Sequence, residues 1–168
     1  MTTPIVDSAL SPATELRRFR ESLKASPTRL SGAASSAESL INAVAAAVER
    51  NDADALARMA LSTDEFAYLY YPTNPQSRPP YELSPQIMWL QMSSQSDQGL
   101  HRLLRAYGGK RLGVTRWTCD SVPHIEGDNR ILAHCRVTHS GPEQSTVTEP
   151  LFAAIIERGG RYKILSYS

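Results

Sequence analysis

Apolar positions recur every three or four residues in the first half of the chain and alternate with polar ones beyond Gly109, so helices are predicted first and strands afterwards. In SSAESLINAVAAAVERNDADALARMALS, Ser35 and Glu38 fit a capping box that opens a helix over 36–50, with Leu40, Val44 and Val48 along one face. Asn51 and Asp52 break it, and Asp52 caps a second helix with Leu56, Met59 and Ala60 on its inner face. Ser62 and Glu65 repeat the capping pattern ahead of FAYLYYP, which predicts a third helix over about 63–71 ended by Pro72; a strand is the alternative, because aromatic residues favour one. Ser84 as cap, Pro85 at the first helical position and Gly108–Gly109 at the close bound a long helix. Its expected buried stripe is Ile87, Leu90, Leu100, Leu103, Leu104 and Tyr107, and Gly99 with the polar run before it marks a place to kink or divide.

Four alternating segments follow, VTRWTCDSVPHI, RILAHCRVTHS, TVTEPLFAAIIE and RYKILSYS, joined by the turn-rich EGDN, SGPE and RGG. They predict an antiparallel meander. Helices before strands give the fold class α+β, with the helices on one face of a curved four-stranded antiparallel sheet. Residues 1–35 carry few apolar positions, with Leu16, Phe19 and Leu23 alone at helical spacing, and are read as a mobile arm with a short helix near 13–25. The domain proper is 36–168. In the arm, Arg17, Arg18, Arg20 and Lys24 are read as a solvated face.

Bulk composition changes this picture little. With 18 basic and 17 acidic residues in 168, the chain offers no broad basic field, which disfavours nucleic acid as a partner. No apolar run approaches the roughly 20 residues of a membrane-spanning helix, and no apolar leader opens the chain. The expectation is a soluble, cytoplasmic protein without a membrane partner, exported only if the true start lies upstream.

The order of elements resembles the nuclear-transport-factor-2-like superfamily of cystatin-like or SnoaL-like cone domains. A capped helix running into AAAVERNDADALARM, a long later helix and the closing hairpin LFAAIIERGGRYKILSYS carry the similarity, over about 36–168. The resemblance implies a bent sheet wrapped around helices, often with a pocket, and a dimer formed through the sheet. It also implies a range of roles, from lyases and isomerases to noncatalytic binding domains. The proline-rich stretch Pro72–Pro85 stands where such folds commonly have an early hairpin, and no family active-site residue is matched.

Within this frame the stretch FAYLYYPTNPQSRPPYELSP crosses the open end of the cone, where proline lowers the entropy lost on ordering it. Tyr68, Tyr70, Tyr71, Tyr81 and Trp89 then either line a pocket mouth or plug the cone, and plugging is preferred. With Trp117 on the sheet, the pocket candidates are Tyr68, Tyr71, Tyr81, Trp89 and Trp117.

A turn centred on Gly127 sets Cys119 opposite Cys135, Asp120 opposite His134 and Thr118 opposite Arg136. The cysteines share the apolar face with Trp117, Ile125, Ile131, Ala133 and Val137, and two buried thiols are preferred over a cross-strand disulfide. A carboxylate orienting an imidazole is general-base geometry, but a surface ion pair is the preferred reading of Asp120 with His134. His101 reads as a helix-flank or core histidine. His124, His134 and His139 fit no metal-ligand spacing, and neither a phosphate-binding glycine loop nor a hydrolase elbow is present, so no metal and no cofactor is expected. The functional expectation is a noncatalytic domain that binds a small apolar molecule or a protein partner. The alternatives are a small lyase or isomerase using His134 or Asp64, and an exported accessory domain held by a Cys119–Cys135 bridge.

Overall fold

The computed structural model describes residues 10–168; residues 1–9 of the expected arm lie outside the described residues. The chain is α+β, as the pattern predicts, with helices α1 (Pro12–Glu21), α2 (Ala37–Glu49), α3 (Ala53–Met59), α4 (Thr63–Glu65) and α5 (Pro85–Tyr107) ahead of every strand. The strands are β1 (Arg116–Thr118), β2 (His124–Glu126), β3 (Asn129–Ala133), β4 (Arg136–Ser140), β5 (Thr146–Glu149), β6 (Phe152–Arg158) and β7 (Arg161–Tyr167). No helix among the described residues is long and apolar enough to cross a membrane.

The meander is antiparallel throughout its strand pairs, but three of its four arms are broken, so four long strands become seven segments in two sheets, β1-β4-β5 and β2-β3-β6-β7. The breaks fall at Cys119–Pro123, His134–Cys135 and Pro150–Leu151. The hairpin turn is the two-residue Gly127–Asp128, so His124 pairs with Ile131, one residue out from the expected register. His134, in the left-handed region at φ 52°, absorbs that residue, and Trp117 pairs with Val137 and Thr118 with Arg136 as expected. The offset also reverses the faces. Val137 and Cys135 are buried against α2 and α3, Ile131 is buried on the opposite side, and Ile125 lies exposed at the hairpin tip rather than on the apolar face. Cys119 and Cys135 are joined in a disulfide, which corrects the expectation of free thiols: the outer register holds, and it places the two residues side by side at the bend.

Both faces of the four-stranded sheet are covered, which extends the expected single helical layer. Leu132, Ile155 and Ile164 form one row across β3, β6 and β7 and pack with Leu40, Val44, Leu56, Leu100 and Leu103 of α2, α3 and α5. The neighbouring row, Ile131 and Ile156, points the other way, into a second core with Leu30, Phe66, Leu69 and Met88. That second core is built by the aromatic stretch. Its helix begins at the Ser62–Glu65 capping box and loosens into a π-helical turn, Phe66–Tyr70, before Pro72 ends it. The Leu69 carbonyl is instead bonded by Asn129 Nδ2 at 2.8 Å. Asn74, capping the next short turn, donates from Nδ2 to Tyr70 Oη and to Glu126 Oε1, both at 3.0 Å, and so ties the proline-rich connector to the hairpin.

Several details differ from the periodicity. The cap of α2 is Ser36, not Ser35, its hydroxyl accepting from Ser39 N. The first half of α5 buries Met88 and leaves Ile87 and Leu90 exposed, because its inner face is set by the Phe66 core rather than by α2. The helix runs undivided through Gly99. A Cβ there would meet backbone atoms of Tyr167 and Ser168 at 2.6 Å, so glycine is the residue that lets the end of β7 lie against α5. The segment read as an arm is docked: Phe19 meets the Phe66 ring edge-on at 5.9 Å, and Leu30 is fully buried. Arg20, read as solvated, donates to Ala67 O and sits over the Tyr68 ring at 4.4 Å. Ala34 exchanges two backbone hydrogen bonds with Tyr162, and Leu61 N donates to Ile164 O, so the outer edge of β7 is covered.

Candidate functional site

An open cleft of about 600 Å³ lies between α3, β7 and the segment leading into α2. Its wall is Ala55, Ala57, Met59 and Ala60, small or flexible apolar groups contributed by α3 and its end, facing Ser31, Gly32 and Ser62. Arg58 and Lys163 are its cations, and no acidic side chain lines it.

Lys163 belongs to the row Ile131–Ile156–Lys163 on the face that meets the aromatic helix. It is 3% exposed, and its ammonium donates to Glu65 Oε1 at 2.7 Å. Glu65 is 1% exposed and accepts two further hydrogen bonds, from Ser62 N at 2.9 Å on Oε1 and from Ser31 N at 2.8 Å on Oε2. Burial pushes the Glu65 carboxyl up, yet the Lys163 hydrogen bond and the two amides outweigh it and hold the group below its ordinary value. Glu65 is therefore a carboxylate at neutral pH, with Lys163 Nζ hydrogen-bonded to it. The Lys163 side chain is thus tied to Glu65 rather than left as an unpartnered amine.

Two other interior networks are closed in the same sense. His139, fully buried, has Nδ1 at 2.9 Å from Ser140 O and Nε2 at 3.0 Å from Glu149 Oε1, so both ring nitrogens face acceptors. Tyr107 packs edge-on against that ring at 4.9 Å, and its hydroxyl is pushed up to about 12 by the hydrogen bond to Glu149 and then by burial. Tyr70 is likewise pushed to about 12, by burial first and the Glu126 charge second. Burial raises Glu126 itself, against the opposing hydrogen bond from Asn74.

The five ring residues named as pocket candidates are not gathered around one cavity, in keeping with the preferred reading that the rings plug the fold. Tyr71 is buried and donates to Leu83 O at 2.7 Å, and Trp89 stacks at 5.0 Å on Phe66, so both fill the second core. Tyr68 lies under Arg20, Trp117 packs against the α2–α3 core, and Tyr81 is exposed. Trp89 alone borders the small cavity of about 120 Å³ that adjoins the cleft across Ala57 and Ala60. Of the acid/base candidates, His134 is hydrogen-bonded to Asp120 at 2.6 Å on the surface, with the imidazole 80% exposed, and Asp64 stands in the first turn of α4 away from the cleft lining. His101 is an exposed flank residue bonded to Asp97 O. Among the described residues no three His, Cys, Asp or Glu side chains converge as metal ligands.

The sequence reading missed Lys163 and Arg58 and saw Glu65 only as a capping residue. Strand alternation sends Lys163 to the face opposite Ile164, which is solvent only if one face of the sheet is covered. No protein-family model, curated protein or solved structure matches the chain.

Proposed function

We propose that the chain is a noncatalytic domain that holds a small, mainly apolar molecule in the α3–β7 cleft. The carrying observation is the combination in that cleft of an alanine- and methionine-lined wall with an ionisable floor already locked as the Glu65–Lys163 pair. An acid/base enzyme needs a free titrating group facing its substrate, and here the interior acids and bases are engaged by the protein itself. The placement of the reading among noncatalytic cone domains draws support from the α+β order and the bent antiparallel meander. A homodimer through the sheet then uses the three-stranded sheet, since both faces of the four-stranded one are covered; Arg116, Thr118, Arg136 and Thr148 lie exposed on it. The Cys119–Cys135 bridge favours the exported alternative over the cytoplasmic expectation, because such bonds persist in oxidising compartments.

Thermal unfolding with 1-octanol, cyclohexanol and octanoate tests the binding reading. A ligand of the native state raises the midpoint by mass action. The expected result is a rise for the wild-type protein that is lost in Ala57→Phe, a substitution at an exposed helix position that fills the cleft. No rise with any probe, or the same rise in the variant, contradicts it.

A further inference from the structure

Resting on that binding reading, we propose that the cleft selects a carboxylate on its apolar ligand, received by Lys163 and Arg58. The argument begins with donors. An ammonium carries three N–H groups, and Lys163 uses one of them among the described residues, on Glu65. The carboxylate it meets already accepts from three donors, Lys163 and the amides of Ser31 and Ser62. The pair is thus balanced in charge but not in hydrogen bonds, and the surplus N–H groups belong to a side chain that lines the cleft while being 3% exposed. A buried donor without an acceptor is costly, and an incoming oxyanion removes that cost.

Charge points the same way. Arg58 lines the same cleft and makes no ion pair among the described residues. Two cations and one sequestered carboxylate leave the site with a surplus positive charge, next to hydroxyls at Ser31 and Ser62. The remaining lining is alanine, glycine and methionine, which suits a hydrocarbon body rather than a sugar or a nucleotide. The ligand class is therefore a small organic monocarboxylate, its head toward Lys163 and its tail along Ala57, Met59 and Ala60.

Sodium octanoate and the isosteric octanamide separate the head group from the tail. Calorimetric titration of the full chain is expected to show octanoate binding on the order of tenfold more tightly than octanamide, as a charge-assisted hydrogen bond in a shielded site provides. Arg58→Gln, at an exposed position, is expected to shrink that ratio while octanamide binding persists. Lys163 is one of three lysines, and the other two, Lys24 and Lys110, are exposed, so its Nζ nitrogen-15 resonance is a separate reporter. It should move with octanoate and not with octanamide. Equal binding of the two probes, or tighter octanamide, overturns the inference and leaves the binding function standing. A preference for octanoate with an unmoved Lys163 signal also overturns it, since the head group then lies elsewhere. Failure of both probes to bind removes the binding function as well.

Discussion

Glu65 shows how one side chain can serve local and global structure at once. Its Oε1 closes the capping box of α4 through Ser62 N and also receives Lys163, 98 residues away in sequence, while Oε2 holds Ser31 N. The capping half of this role was legible, because Ser-x-x-Glu ahead of an apolar run is a local pattern. The ion-pair half was not, since nothing within a few residues of either partner announces the other. Removing one member of a buried pair strands the other, so Glu65→Gln is expected to cost about 3–5 kcal/mol in urea unfolding, whereas Glu65→Leu with Lys163→Met recovers most of that loss. If the single variant unfolds like the wild type, the pair is not structural. The pH dependence follows from the lowered carboxyl: folding favours the ionised form, so the contribution is complete above the ordinary value of 4.5 and is lost as pH falls through the lower folded value. The urea midpoint of the wild type should therefore drop more steeply below about pH 4.5 than that of Glu65→Gln, and parallel curves would refute the assignment.

Elements show where periodicity works and where contact overrides it. The caps at Asp52, Ser62 and Ser84 and the ends of α2 and α5 follow from local chemistry and were readable. Gly99 was read as a place to kink or divide because a glycine in a helix weakens it, whereas here the helix runs on and the missing side chain makes room for the backbone at the end of β7. The two effects have opposite signs under substitution. Helix propensity alone makes Gly99→Ala stabilising by about 1 kcal/mol. A methyl group 2.6 Å from the Tyr167 and Ser168 backbone instead predicts a loss of stability, since neither backbone can yield like a flexible side chain. A rise in the unfolding midpoint would show that β7 does not close on α5 as described. At the π-helical turn, Asn129→Leu removes the donor to Leu69 O within a buried site and should cost roughly 1–3 kcal/mol. The turn itself was hidden from sequence, because the residue that completes it is 60 positions away.

At the scale of the whole molecule, the order of layers was legible and their number was not. Alternation in the four arms gave the meander and brought Cys119 opposite Cys135, but the single-residue offset at His134 and the second apolar row required the aromatic helix to be in place. The proline-rich connector answers to the same cause: Asn74 fastens it to the hairpin, and the rings ahead of it fill the second core rather than frame a pocket. The bridge closes a loop of sequence separation 16, and its reduction should lower stability by about 3 kcal/mol on the chain-entropy account. The most direct test of the central claim uses the methionine methyl groups as reporters. Met59 lines the α3–β7 cleft, while Met88 and Met92 border a separate groove beside α5. In carbon-13 methyl spectra of the full chain titrated with octanamide, the account predicts that the Met59 signal shifts and those of Met88 and Met92 stay in place. Movement of Met88 and Met92 with Met59 unchanged, or no movement at all, would contradict it.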